Sequence, residues 1–140
     1  MPALVGWCGL RFRDSTMFQL TVTTGFSGAH YLKGYDGPCA RLHGHNFRVD
    51  ARVSGCDLDS VGMVVDFKVI KKLLKAAISR FDHQVSNEIP PFDEINPTAE
   101  NLARYLYDQL QPAFEEFGAR LDSIGIWETD SYGVVYTPGG

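Results

Sequence analysis

The chain has 140 residues, a formal net charge of −4 and 44% hydrophobic residues, the length of one domain with enough apolar content to build a core. Its basic residues are scattered and no apolar run approaches the ~20 residues that span a bilayer, which argues against nucleic acid and membranes as partners. The cysteines Cys8, Cys39 and Cys56 show no CxxC spacing, as expected of a reducing cytoplasm rather than a disulfide scaffold.

Residues 1–16 lack the basic start, long apolar stretch and small-residue cleavage site of a signal peptide, and read as an N-terminal extension. Residues 17–140 then form a single domain. "MFQLTVTTGF" at 17–26 alternates, is rich in Thr, Val and Phe, and predicts a strand. "LKGYDGPCA" is a loop. "HNFRVDARVSG" predicts a second strand, half buried, with Phe47, Val49, Ala51 and Val53 on one side and Asn46, Arg48, Asp50 and Arg52 on the other.

From Asp66, a fair N-cap, the apolar stripe Phe67, Ile70, Leu73, Leu74, Ala77, Ile78 and Phe81 predicts a helix. A polar loop with three prolines follows. Thr98 then caps a second helix whose period is given by Leu102, Tyr105, Leu106, Gln109 and Leu110. "LDSIGIWETDSYGVVYTP" holds two short strands around a turn at 130–133. The order ββααββ is that of an α+β domain with an antiparallel sheet. Four strands and two helices leave sheet edges open, and oligomerisation is one way to close them.

The chain has four histidines, and two of them sit in "CARLHGHNF". On a strand, His43 and His45 project to one face, provided that the strand starts by Leu42. His30 ends the preceding strand and can lie beside them. Three converging imidazoles are the ligand set of a catalytic zinc, with a fourth position open. A lone HxH pair is ordinarily a polar or packed pair. The third histidine, the nearby cysteine and the scarcity of histidine elsewhere favour the metal, and spacing alone leaves Cys39 open as a further ligand.

His83 follows Asp82 directly. The carboxylate can orient the ring and raise its basicity; alternatively, His83 is a helix C-terminal histidine meeting free carbonyls. Glu128 lies at the end of an apolar strand, on the same face as Ile124 and Ile126. It is either solvent-facing or a buried carboxylate awaiting a ligand rich in N–H groups.

"FSGAH", "CARLHGHN", "GMVVDF", "FDHQVSN", "NPTAENLA" and "ETDSYGVVY" occur in this order. Together, from about Met17 onward, they resemble the 6-pyruvoyl-tetrahydropterin synthase superfamily, which includes the 6-carboxytetrahydropterin synthases of queuosine biosynthesis. The resemblance implies a tunnelling fold (T-fold), in which ββααββ subunits join their sheets around a barrel as trimers or hexamers. It implies zinc on His30, His43 and His45, Cys39 as catalytic thiolate, and Asp82 and His83 as its proton-relay partners. It makes Glu128 the anchor of the pterin ring and places Thr98 at the border of the pterin pocket, with sites shared between subunits.

The implied substrate is 7,8-dihydroneopterin triphosphate. The spacing CxxxHGH resembles the 6-carboxytetrahydropterin type, which releases acetaldehyde and triphosphate. The alternative within the family is elimination of triphosphate to 6-pyruvoyl-tetrahydropterin. Outside it stand a zinc hydrolase unrelated to pterins and a pterin-binding protein without turnover.

Overall fold

The computed structural model describes residues 17–139. The reading of 1–16 as an extension, and Cys8 with it, lies outside the described residues.

Two long strands, β1 (Phe18–His30) and β2 (His43–Gly55), are followed by helices α1 (Phe67–Ile78) and α2 (Ala99–Glu116), then by strands β3 (Arg120–Trp127) and β4 (Gly133–Tyr136). The strands form one antiparallel sheet in the order β1-β2-β3-β4. The ββααββ order and the α+β class are as expected.

Alternation decides which face of the sheet is buried. On β2, Phe47, Val49, Ala51 and Val53 turn toward the helices, while Asn46, Arg48 and Arg52 are exposed on the other face. Ile124 and Ile126 of β3 join the buried face and pack in one core with Ile70 and Leu74 of α1 and Leu102 and Leu106 of α2. Phe47 is only 2% exposed; burying a side chain of this size contributes about 1.5–3 kcal/mol.

Both helices start where side-chain oxygens can satisfy free amides. Asp66 accepts a hydrogen bond from the Lys68 amide at 2.8 Å, and Thr98 accepts one from the Asn101 amide at 3.1 Å. Three details of the apolar stripes differ from expectation. Phe67 is exposed, Phe81 lies in a 3₁₀ turn beyond the end of α1, and Gln109 is exposed. The buried stripe of α2 runs instead through Leu102, Ala103, Leu106, Tyr107, Leu110 and Phe114, because the helix is rotated to put Ala103 and Tyr107 against the sheet.

β1 continues four residues past the predicted end at Phe26, and β2 begins at His43 rather than His45. The extra residues are held from both sides. β2 pairs with β1 as far as His30 opposite His43. On the outer edge of β1, the His83 amide donates to the Ser27 carbonyl at 2.6 Å and the Ala29 amide donates to the Gln84 carbonyl at 3.0 Å. The segment after α1 therefore covers the end of β1 that carries His30.

Cys39 is a free, exposed thiol. Cys56 is disulfide-bonded, which departs from the expectation of a chain without disulfides. Among the described residues no helix is long and apolar enough to cross a membrane.

Candidate active site and metal centre

The register of β1 and β2 builds the site. His30 lies directly opposite His43, and His45 is one diagonal step away, opposite Gly28. All three side chains turn to the helix-covered face, at the end of the sheet where the core runs out. Phe26 and Phe47 stack at 4.7 Å between ring centroids, and the rings of His30 and His45 stand edge-on to Phe47 at 5.5 and 5.3 Å. Gly28 allows a close approach: a Cβ there would come within 3.1 Å of the Phe26 ring and 3.2 Å of the Phe81 carbonyl, so these neighbours would have to give way by a few tenths of an ångström.

The three imidazoles each offer a nitrogen within 4.8 Å of the others. Their tautomers follow from their partners. His30 Nδ1 is 2.7 Å from the Pro97 carbonyl and His43 Nδ1 is 2.7 Å from the Arg41 carbonyl. A carbonyl only accepts, so both Nδ1 atoms carry the proton and both Nε2 atoms keep a lone pair. His30 Nε2 and His45 Nε2 are buried with no hydrogen-bond partner among the described residues. Buried polar atoms are seldom left so, and two beside each other call for an explanation. Glu128 extends the buried face of β3 to the same place, with Oε2 3.5 Å from His30 Nε2. A carboxylate oxygen and a ring lone pair are both acceptors, and a cation beside them relieves the opposition.

Burial pushes the His30 imidazole below its ordinary range, against the opposing pull of the Pro97 carbonyl and of Glu128. Burial lowers His45 as well, again against Glu128. Neutral imidazole is the form that ligates a metal. With His30 and His43 held at Nδ1 by carbonyls, and with His30 and His45 desolvated and lacking a partner at Nε2, the triad fits a zinc ion, and the donor set is that of a site with one open position.

A pH prediction follows for the metal-free protein. Just below pH ~6.5 the unfolded chain has begun to protonate His30 and His45, while the folded chain holds them neutral. The unfolded state then binds more protons, so stability rises with pH in that window and is lost as pH falls through it. The thermal midpoint of the metal-free protein is expected to drop on acidification from about pH 7.5 to about 5.5. A flat profile would show that the histidines are not held neutral.

Asp82 and His83 are together: Asp82 Oδ1 lies 3.0 Å from His83 Nδ1. The Ser27 amide donates to the same carboxylate at 3.1 Å. That hydrogen bond, and then the one from His83, hold the Asp82 carboxyl below its ordinary range. His83 has φ 58°, a left-handed conformation that costs a non-glycine residue about 1–2 kcal/mol. Five residues past the end of α1 and turned out of the helical path, it does not cap that helix. Its ring is 79% exposed, beside a cleft of about 520 Å³ that His45, Asn46, Gln84 and Glu88 also line.

Cys39 sits apart from the triad cluster, exposed on a 3₁₀ turn (Pro38–Ala40) whose Cys39 carbonyl accepts from the Leu32 amide at 2.8 Å. Thr98 spends its hydroxyl on capping α2, one residue after the Pro97 carbonyl that orients His30. The structure thus brings together His30, His43, His45 and Glu128 in one group and Asp82 with His83 in another. Sequence reasoning missed the carbonyls of Pro97 and Arg41. Every residue has a carbonyl, so no side-chain signal marks these two.

Residues 19–139 match the family model described as "6-pyruvoyl tetrahydropterin synthase". A Bacillus subtilis protein named 6-carboxy-5,6,7,8-tetrahydropterin synthase is 30% identical over 128 residues, covering 86% of this chain and 86% of its own length. A Dictyostelium discoideum protein named 6-pyruvoyl tetrahydrobiopterin synthase is 32% identical over 102 residues, covering 71% of this chain and 73% of its own. Among solved structures, that of Caenorhabditis elegans 6-pyruvoyl tetrahydropterin synthase superposes with a TM-score of 0.80 at 23% identity, over 91% of this chain and all of that one.

Proposed function

The chain belongs to the 6-pyruvoyl tetrahydropterin synthase family, a family of enzymes, and from that premise we propose that it converts 7,8-dihydroneopterin triphosphate to 6-carboxy-5,6,7,8-tetrahydropterin, releasing acetaldehyde and triphosphate. The observation that carries the reading is the convergence of His30, His43 and His45 with two orphaned Nε2 atoms beside Glu128. The carboxy product is favoured over the pyruvoyl one by the three residues between Cys39 and His43, the spacing that resembles the carboxy type. A place in queuosine biosynthesis and a cytoplasmic setting accompany that reading.

His30, His43 and His45 hold the metal, read as zinc. Bound zinc supplies Lewis acidity toward the hydroxyl-bearing side chain of the substrate. The remaining roles belong to the protein. Glu128 accepts two N–H bonds from the aminopyrimidine edge of the pterin and fixes the ring. Cys39, as thiolate, takes a proton from the side-chain carbon of the substrate. His83, oriented by Asp82, returns or relays it. Thr98 borders the ring. The family resemblance implies a homo-oligomer, trimeric or hexameric, with sites between subunits, in which Cys39 and His83 serve one site from different chains.

Two experiments test this. A mass spectrum of the products of dihydroneopterin triphosphate with zinc-loaded protein should show carboxytetrahydropterin. A pyruvoyl product moves the chain to the other branch, and retained pterin with no product under any metal condition makes it a binding protein. Glu128→Gln replaces an acceptor by a donor that faces the ligand's own donors. It should cost about 2–3 kcal/mol of pterin binding, on the order of a hundredfold. Calorimetric titration with 7,8-dihydroneopterin reads this directly, and an unchanged affinity would remove Glu128 as the anchor.

A further inference from the structure

Beyond His30, no strand among the described residues pairs with the outer edge of the chain, yet its backbone groups are not left free. Two carboxamides take over. The Tyr31 amide donates to Asn87 Oδ1 at 3.0 Å, and Asn87 Nδ2 donates back to the Tyr31 carbonyl at 2.9 Å. Two residues on, the Lys33 amide donates to Asn96 Oδ1 at 2.8 Å, and Asn96 Nδ2 donates to the Lys33 carbonyl at 2.9 Å. Each carboxamide thus gives and takes one hydrogen bond with a single residue, as an antiparallel neighbour does in a hydrogen-bonded pair. Together with the Ala29 amide on the Gln84 carbonyl, residues 29, 31 and 33 are held in the two-residue period of a strand.

Leu32 faces the opposite way, and its amide donates to the Cys39 carbonyl at 2.8 Å. One short segment is therefore fixed to the 84–96 loop on one edge and to the Cys39 turn on the other. The same loop orients the imidazole: Asn96 is followed by Pro97, whose carbonyl holds His30 Nδ1, and the Asn96 carbonyl accepts from Asn101 Nδ2 at 2.9 Å, which ties the loop to α2. Asn87 is 5% exposed, so its carboxamide has little access to water and these partners satisfy it.

We infer that Asn87 and Asn96 are positioning residues, acting as a side-chain continuation of the sheet that sets His30 toward His43 and His45 and ties the Cys39 turn to the same segment. The inference rests on the reading of the three histidines as metal ligands. Neither asparagine touches the metal site itself. Each acts through the backbone that follows His30, and Asn96 also through the adjacent Pro97 whose carbonyl meets the ring, in the way that outer partners of a metal ligand fix its orientation.

The test is zinc affinity, measured by competition with a chelator on wild type, Asn87→Ala, Asn96→Ala, His43→Ala and Asp59→Ala, with the thermal midpoint of each. Asp59 is the control. Its carboxylate pins the Val61 and Met63 amides, each at 3.0 Å, in a loop beyond the far end of β2, so its loss loosens a loop without reaching the triad. Asn96→Ala and Asn87→Ala should weaken zinc binding by about 10–100-fold, as is usual for outer partners, and Asp59→Ala should leave it unchanged. Should Asn87→Ala fail to fold, Asn96→Ala, at a less buried position, decides. If both asparagine variants lower the midpoint but bind zinc within about twofold of wild type, their role is merely structural and the inference falls. If wild type takes up no zinc, or His43→Ala retains full affinity, the metal reading itself is what fails.

Discussion

Cys39→Ala is expected to keep its zinc, bind substrate and slow the chemical step by about 10²–10⁴-fold, the usual size of a general-base contribution. The thiol stands outside the imidazole cluster, exposed on its own 3₁₀ turn, so on the proposed reading its loss removes a base and not a ligand. The turn itself is held through backbone atoms: the Ala40 amide donates to the Gly37 carbonyl and the Cys39 carbonyl accepts from Leu32. An alanine leaves those bonds in place and fold stability near that of wild type. Zinc stoichiometry and single-turnover rate, measured side by side, decide the matter. A metal-depleted variant makes Cys39 a ligand, and a metal-replete variant with near-normal turnover removes it from the chemistry.

His43→Ala and His45→Ala should each lose most of the zinc, from about one ion per chain, and with it all measurable turnover. Two imidazoles do not make a closed ligand set, and both rings sit on the face where His30 Nε2 points. The fold should survive. The two side chains are only partly buried, at the edge of the core rather than within it, and β2 remains paired on both sides through its backbone. Far-ultraviolet circular dichroism unchanged beside an empty metal analysis is the expected outcome. Full zinc occupancy in both variants would remove the pair from the site.

Much of this arrangement is legible in the chain. The two-residue period of a strand is enough to put His43 and His45 on one face, and the apolar run Phe47, Val49, Ala51, Val53 says which face that is. Asp66 and Thr98 announce the helix starts by chemistry that the structure repeats. The end of β1 was less legible. "SGAH" has no β-branched residue and propensity stops the strand at Phe26, whereas pairing with β2 and with residues 83–85 carries it to His30. The orientation of the triad was not legible at all, because it depends on the carbonyls of Pro97 and Arg41 and on carboxamides that meet the backbone from a loop distant in sequence. The burial of α2 misled at Gln109 for a related reason. A pattern of large residues gives the period of a helix, while the tertiary contact of Ala103 and Tyr107 sets its rotation.

The division of labour between three imidazoles and a free thiol is the centre of the account, and the X-ray absorption spectrum at the zinc edge tests it most directly. The resting zinc-loaded protein should show nitrogen and oxygen neighbours alone, at ~2.0–2.1 Å, with the multiple-scattering pattern of imidazole rings. A sulfur neighbour at ~2.3 Å would place Cys39 on the metal and contradict its role as base.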